Sequence, residues 1–262
     1  MPNKQEQLES ILKGIGSAAV AFSAGVDSTY LLKTAHDVLG DNARAVIVKS
    51  PLIPGRDLSE AERFCAEQGI KLNVIEYDPL GSEAFTINPK DRCYVCKKAI
   101  FSLIMDEARK LDLNTVIEGT NADDVFDYRP GMKALAELNV RSPLKEAGLT
   151  KADIRELSQA EGLSTWDKPS FACLATRIPY GNTITAEVLS RIDKAEEFLY
   201  GLGIRQFRVR SHGELARIEV LPEDFAVLIE ENKRTALTEY FKKIGYKYVS
   251  LDLTGYRTGS MN

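Results

Sequence analysis

Ser23, Gly25, Asp27 and Ser28 stand as Ser-x-Gly-x-Asp-Ser in "AFSAGVDSTYLL", residues 21–32. Hydroxyls, a carboxylate and a glycine that lets a ligand approach the backbone are the residue types that hold a phosphoryl group at the start of a helix. The lysine of a Walker-type glycine loop is missing, so this is a phosphate turn of another kind. "DRCYVCKK" sets Cys93 and Cys96 three apart, and "SFACLATRIPYG" brings Cys173 far downstream. Three thiolates with no nearby histidine suit a [4Fe–4S] cluster whose fourth iron is open to an exogenous ligand such as sulfide. A structural zinc would want four protein ligands, and plain thiol chemistry at Cys173 beside an incidental pair is the remaining reading. Basic side chains gather at Arg177, Arg208 and Arg210, the last two spaced to share one side of a strand. Such a two-pronged guanidinium patch suits a phosphate monoester, and a solvated strand face paired with Glu219 is the plainer alternative. "EGTNADDVFDYRPG" puts Asp123, Asp124 and Asp127 beside Arg129, where they could orient a substrate or a metal, or simply cap a loop.

The bulk properties narrow the function classes. The chain has 262 residues, 44% of them hydrophobic, a net charge of −4, four cysteines and two histidines. That is an ordinary soluble composition, with no dense basic run to hold a polyanion, so nucleic acid is disfavoured as a partner. His36 and His212 are too few and too scattered for a His-based zinc site or a His-dependent triad. With no signal-peptide pattern, no membrane-length apolar run and a Cys-x-x-Cys in place of a disulfide framework, we expect a cytoplasmic protein without a membrane partner.

These side chains need a scaffold. Short β-rich segments at 17–23, 43–49, 71–77 and 114–120 alternate with helical patterns, the signature of a parallel sheet with crossover helices. Leu58, Ala61, Phe64 and Cys65 recur at helical spacing before Gly69, so Cys65 reads as a small buried hydrophobe outside the site. The phosphate turn follows the first strand, which should end near Phe22, with a helix from Ser28 or Thr29 onward. After "KPSFACLATRIPYGNTI" the pattern changes to a helix at 186–200, two alternating strands joined by a glycine turn, one helical stretch at 224–244 and a last strand. The expectation is an α/β Rossmann-like domain over 1–180 and a smaller α+β domain over 181–262, without internal repeats.

Ser-x-Gly-x-Asp-Ser after a first strand resembles the pyrophosphate loop of the N-type ATP pyrophosphatases, the adenylating superfamily of NAD synthetase, GMP synthetase and the tRNA thiolation enzymes. The resemblance implies an adenine nucleotide alpha hydrolase-like fold that holds the β- and γ-phosphates of ATP as a leaving pyrophosphate. Ser23, Gly25, Val26, Asp27, Ser28 and Ser50 would be its ATP contacts, with Mg2+ on Asp27. Taken together, "FSAGVDS", "GTNADDVFDYRPG", "KPSFACLATRIPYG" and "RVRSHGELARIEV" resemble the LarE family of ATP-dependent sulfur transferases, in the same order and over nearly the whole chain. This implies adenylation of pyridinium-3,5-biscarboxylic acid mononucleotide and its conversion to thiocarboxylates, a step toward the nickel-pincer nucleotide cofactor. Some members carry one cysteine, equivalent to Cys173, and sacrifice its sulfur. Others carry three, as here, and are similar to cluster-dependent catalysts in which sulfide is the nucleophile. Asp124, Arg129, Thr176, Arg177, Glu196, Arg208, Arg210 and Glu219 would be the substrate-side residues, and a homo-oligomer is implied. An adenylating tRNA thiolase, an amide synthetase and a nucleotide-sensing module with a zinc knuckle are the competing readings.

Overall fold

A computed structural model of the chain describes residues 3–126 and 130–257. The packing divides it into two compact units, the first comprising Met1–Ser50, Gly55–Asp78 and Asp91–Ser170, the second Pro51–Pro54, Pro79–Lys90 and Phe171–Asn262.

The first unit is built on the strands β1 (Ala18–Ala21), β2 (Ala43–Lys49), β3 (Leu72–Glu76) and β4 (Thr115–Ile117). All pair in parallel, in the order β3-β2-β1-β4. Its helices are α1 (Lys4–Ile15), α2 (Val26–Leu39), α3 (Gly55–Gln68), α5 (Arg92–Lys110), α6 (Pro130–Glu137), α7 (Pro143–Glu146) and α8 (Lys151–Ala160), and α4 (Glu83–Thr86) belongs to the second unit. Alternation along the strands sorts side chains to opposite faces. Ala18, Val20, Ala45, Ile47 and Ile117 pack with Leu8, Leu12, Leu31, Leu32, Ala61, Cys65 and Ile154 from α1, α2, α3 and α8. Ala19, Val46, Val48 and Val116 pack with Phe101, Ile104, Ala108 and Leu135 from α5 and α6. The result is the three-layer α/β sandwich expected of buried parallel strands, Rossmann-like in form.

In the second unit, α9 (Ala186–Gly201), α10 (Phe225–Ile229) and α11 (Glu231–Lys243) accompany β5 (Phe207–His212), β6 (Leu215–Val220) and β7 (Tyr248–Leu251). β5 and β6 form an antiparallel hairpin that turns at Gly213, φ +65°, and β7 adds to β6 in parallel. The core here joins Leu199, Phe207, Val209, Ile218, Leu237 and Phe241.

Two local expectations are corrected. α2 begins at Val26, earlier than Ser28, so Asp27 and Ser28 fall inside its first turn. The stretch 224–244 is two helices, because the backbone at Glu230 is extended and its carboxylate accepts the N–H groups of Asn232 and Lys233, capping a new helix. No described helix is long and apolar enough to cross a membrane.

Candidate active site

The phosphate turn leaves the central strand β1, whose ladder is extended by the Phe22 N–H donating to Val46 O at 2.9 Å. Ala24 follows in the left-handed region at φ +54°. This costs a non-glycine residue about 1–2 kcal/mol, and the surroundings must hold it there. Gly25 is the N-cap of α2 and makes no side-chain capping bond. The first N–H groups of α2 have no intrahelical acceptor, and the positive end of the helix dipole lies beside them. Ser28 Oγ closes the turn: it donates to Gly25 O at 3.1 Å, accepts the Ser23 N–H at 3.3 Å and lies 3.0 Å from Ser23 Oγ. After β4 the chain passes against this helix start at Gly119. A Cβ there would stand 3.0 Å from Ser28 N and 3.2 Å from the Asp27 carbonyl carbon, so only glycine fits.

Asp27 is half-buried and already engaged. Lys151 Nζ donates to its Oδ2 at 2.6 Å, and Asn121 Nδ2 approaches Oδ1 at 3.5 Å. The Asn121 N–H donates to Asp124 Oδ2 at 3.1 Å, the Asp123 N–H donates to Asn121 Oδ1 at 2.9 Å, and Asp123 Oδ2 accepts the Lys151 N–H at 2.8 Å. Asp123 and Asp124 thus shape the loop that delivers Asn121 and Lys151 to Asp27. The lysine absent from the turn comes from the start of α8, where its only sequence signal is the capping box of Thr150 and Asp153. Ser50 lies just beyond β2 and is half-buried. Asp127 and Arg129 lie outside the described residues.

Cys93 and Cys96 occupy the first turn of α5, one helical turn apart and half-buried. Cys173 is half-buried and precedes the 3-10 turn Leu174–Arg177. All three are free thiols; the pair lies in the first unit and Cys173 in the second. Among the described residues no group of three or more His, Cys, Asp or Glu side chains is gathered as a metal site. Cys65 is also free, and burial pushes its thiol up to about 11, as befits a core residue.

The arginines of the second unit are buried, which overturns the expectation of a solvated strand face. Arg177 and Glu196 are both 0% exposed and form a two-bonded ion pair, Nε to Oε1 at 2.8 Å and a terminal nitrogen to Oε2 at 3.0 Å. Burial opposes the charge of Glu196, yet Arg177 outweighs it and holds the carboxyl below the usual range. The other terminal nitrogen of Arg177 donates to the carbonyls of Ala172 at 2.6 Å and Cys173 at 3.1 Å and to Thr176 Oγ1 at 2.8 Å, so this pair anchors the segment that carries Cys173. Glu196 Oε1 also accepts the Val209 N–H at 3.0 Å, tying α9 to β5. Arg210 sends Nε and a terminal nitrogen to Glu219 Oε2 at 3.0 and 2.9 Å, and its other terminal nitrogen to Thr176 O at 3.1 Å. Arg208 is 4% exposed and lies between the rings of Phe171 and Tyr256, 4.9 and 5.0 Å from their centres. Burial first, then Arg177, lowers its pKa to about 10, so an anion beside it would be stabilised.

No family model matches the chain. Over 262 residues it is 40% identical to an uncharacterized protein of Synechocystis sp., covering 100% of this chain and 98% of that protein. It is 38% identical over 267 residues to the pyridinium-3,5-bisthiocarboxylic acid mononucleotide synthase of Lactiplantibacillus plantarum, covering 100% and 95% of the two chains. A more distant likeness, 25% over 166 residues and 57% of this chain, joins it to the glutamine-hydrolyzing GMP synthase of Thermococcus kodakarensis. Across a parallel sheet with its phosphate turn, and across the C-terminal sheet with its buried arginines, the likeness runs end to end, and the chain belongs to the LarE family of sulfur transferases built on the PP-loop ATP pyrophosphatase fold.

Proposed function

We propose that the protein adenylates the carboxylates of pyridinium-3,5-biscarboxylic acid mononucleotide with ATP and converts them to thiocarboxylates, in the synthesis of the nickel-pincer nucleotide cofactor. The observation that carries this reading is the start of α2, an uncapped helix terminus flanked by Ser23, Ser28 and the Asp27–Lys151 pair, in a chain 38% identical over its length to a synthase of that product.

A carboxylate lacks a usable leaving group. Attack of its oxygen on the α-phosphorus of ATP expels pyrophosphate and leaves an acyl adenylate. Sulfide then adds at the acyl carbon, and AMP departs with the carbon–oxygen bond. The N–H groups of Gly25, Val26 and Asp27, with Ser23 and Ser28, receive the charge growing on pyrophosphate. One preorganised donor of this kind is worth about 3 kcal/mol. Asp27 would hold Mg2+, which supplies further charge neutralisation when bound. Lys151, released from Asp27 as the metal takes the carboxylate, then faces the phosphates. Arg208 and Arg210 take the substrate phosphate, with Thr176 and Glu219 setting the guanidinium of Arg210. Arg177 and Glu196 position the Cys173 segment. Asp124 acts through the loop it shapes, and Arg129 remains a substrate-side residue of this proposal, as Ser50 does on the nucleotide side.

Cys93, Cys96 and Cys173 are free, half-buried thiols, a donor set that fits three irons of a [4Fe–4S] cluster. When bound, the cluster would supply sulfur at the iron that no protein thiolate ligates. The proposal places the protein in the cytoplasm as a homo-oligomer, with the nucleotide work assigned to residues 1–180 and the substrate phosphate to residues 181–262.

An anaerobic reaction with Mg2+, ATP, sulfide and the pyridinium dicarboxylate mononucleotide tests the reading. Pyrophosphate and a thiocarboxylate product should appear, protein mass should stay constant, and Asp27→Ala should abolish pyrophosphate release. No substrate-dependent pyrophosphate from the parent protein would end the proposal. A protein mass lowered by one sulfur at Cys173 would instead make that thiol the donor.

A further inference from the structure

Lys168, in "DKPSFAC", has no part in the sites above, yet its side chain reaches back to the phosphate turn. Its Nζ lies 3.0 Å from Ala24 O, 3.0 Å from Asp57 Oδ1 and 2.5 Å from Glu60 Oε2. An ammonium has three donors, so each meets one acceptor, and the side chain is only 16% exposed. Asp57 and Glu60 stand one turn apart on α3 and more than neutralise the lysine. Lys168 is therefore not itself a phosphate ligand.

Its third bond falls on a particular peptide. Ala24 is held at φ +54°, the conformation a non-glycine residue avoids, and the chain has no cis peptide bond among its described residues. In a trans peptide the carbonyl and the following N–H point in opposite directions. Fixing Ala24 O toward Lys168 thus aims the Gly25 N–H away from the Asp57–Glu60 carboxylates, the side a polyphosphate would avoid. We propose that Lys168 is a positioning residue: braced by Asp57 and Glu60, it holds the Ala24–Gly25 peptide so that the Gly25 N–H faces the leaving pyrophosphate. This rests on the reading of the turn as a pyrophosphate site.

Titration calorimetry of the full chain with Mg-ATP and, separately, AMP tests the idea. AMP lacks the phosphates that this N–H would serve. Lys168→Met, which keeps most of the aliphatic stem, should weaken Mg-ATP by about tenfold, the effect of one hydrogen bond to a charged group, and change AMP by less than about twofold. Adding Ala24→Gly should recover part of the loss, because glycine takes φ +54° without strain. Unchanged ATP affinity, equal loss of both ligands as a merely structural lysine would give, or no recovery from Ala24→Gly would each overturn the proposal. A parent protein that binds no Mg-ATP would instead refute the pyrophosphate site itself, and this inference with it.

Discussion

Arg177 and Glu196 are a cation and an anion from which water is wholly excluded, and their value lies in what happens when one is removed. A buried pair contributes little net stability, but the partner left behind is a desolvated charge. Glu196→Ala should therefore cost about 3–5 kcal/mol of unfolding free energy, read by urea titration. A loss near that of an exposed carboxylate would show that Arg177 finds another partner. At this scale the sequence was legible where residue type alone defines the chemistry. Ser23, Asp27 and Ser28 announce a phosphate turn, and three cysteines without histidine announce a thiolate donor set. Lys151 and Lys168 were not legible, because lysines are common and their partners Asp27, Ala24, Asp57 and Glu60 lie far away in the chain. Ala24 was equally hidden, since nothing about alanine signals a left-handed backbone.

Between elements, charge and capping meet at the start of α8. Asp153 accepts the Thr150 N–H at 2.8 Å within a capping box and receives Lys4 Nζ from α1 at 2.6 Å. Lys4 first, then Thr150, lower the Asp153 carboxyl from 3.8 to about 2. A carboxyl whose folded pKa is depressed binds protons more readily when unfolded, so its stabilisation is complete above 3.8 and is lost as pH falls through about 2. Asp153→Asn should flatten the pH dependence of stability across that acid window and leave its slope near neutrality unchanged, which urea unfolding at a series of pH values would measure. An unaltered acid slope would assign the effect elsewhere. Elements were readable wherever the period was clean, as in α3 and the β5–β6 hairpin. The division of α10 from α11 was not readable, because the helical period runs on through Glu230 and only its own carboxylate, bonding to Asn232 and Lys233, restarts the helix.

For the whole molecule, the division of labour between a nucleotide unit and an arginine-rich unit makes sulfur transfer separable from adenylation. Cys96→Ala should lower bound iron after anaerobic reconstitution and abolish repeated sulfur transfer, while ATP-dependent pyrophosphate release continues; iron content and product per chain measure both. Undiminished turnover would remove Cys96 from the sulfur path. The parallel sheet was legible from four apolar segments separated by helical patterns, whereas the burial of Arg208 and Arg210 was not, since strand alternation says which residues share a side and not what covers it.

The strand order β3-β2-β1-β4 carries a consequence for synthesis. β1 and β2 can pair as soon as the first 49 residues exist, but the other edge of β1 waits for residues 115–117, and Gly119 arrives only after them. Until then a nascent chain leaves an apolar strand edge bare at the centre of its future sheet, open to any passing strand. The central position that suits β1 to carry the nucleotide turn also makes it the last-protected part of the growing polypeptide, the place where a chaperone would have most to do.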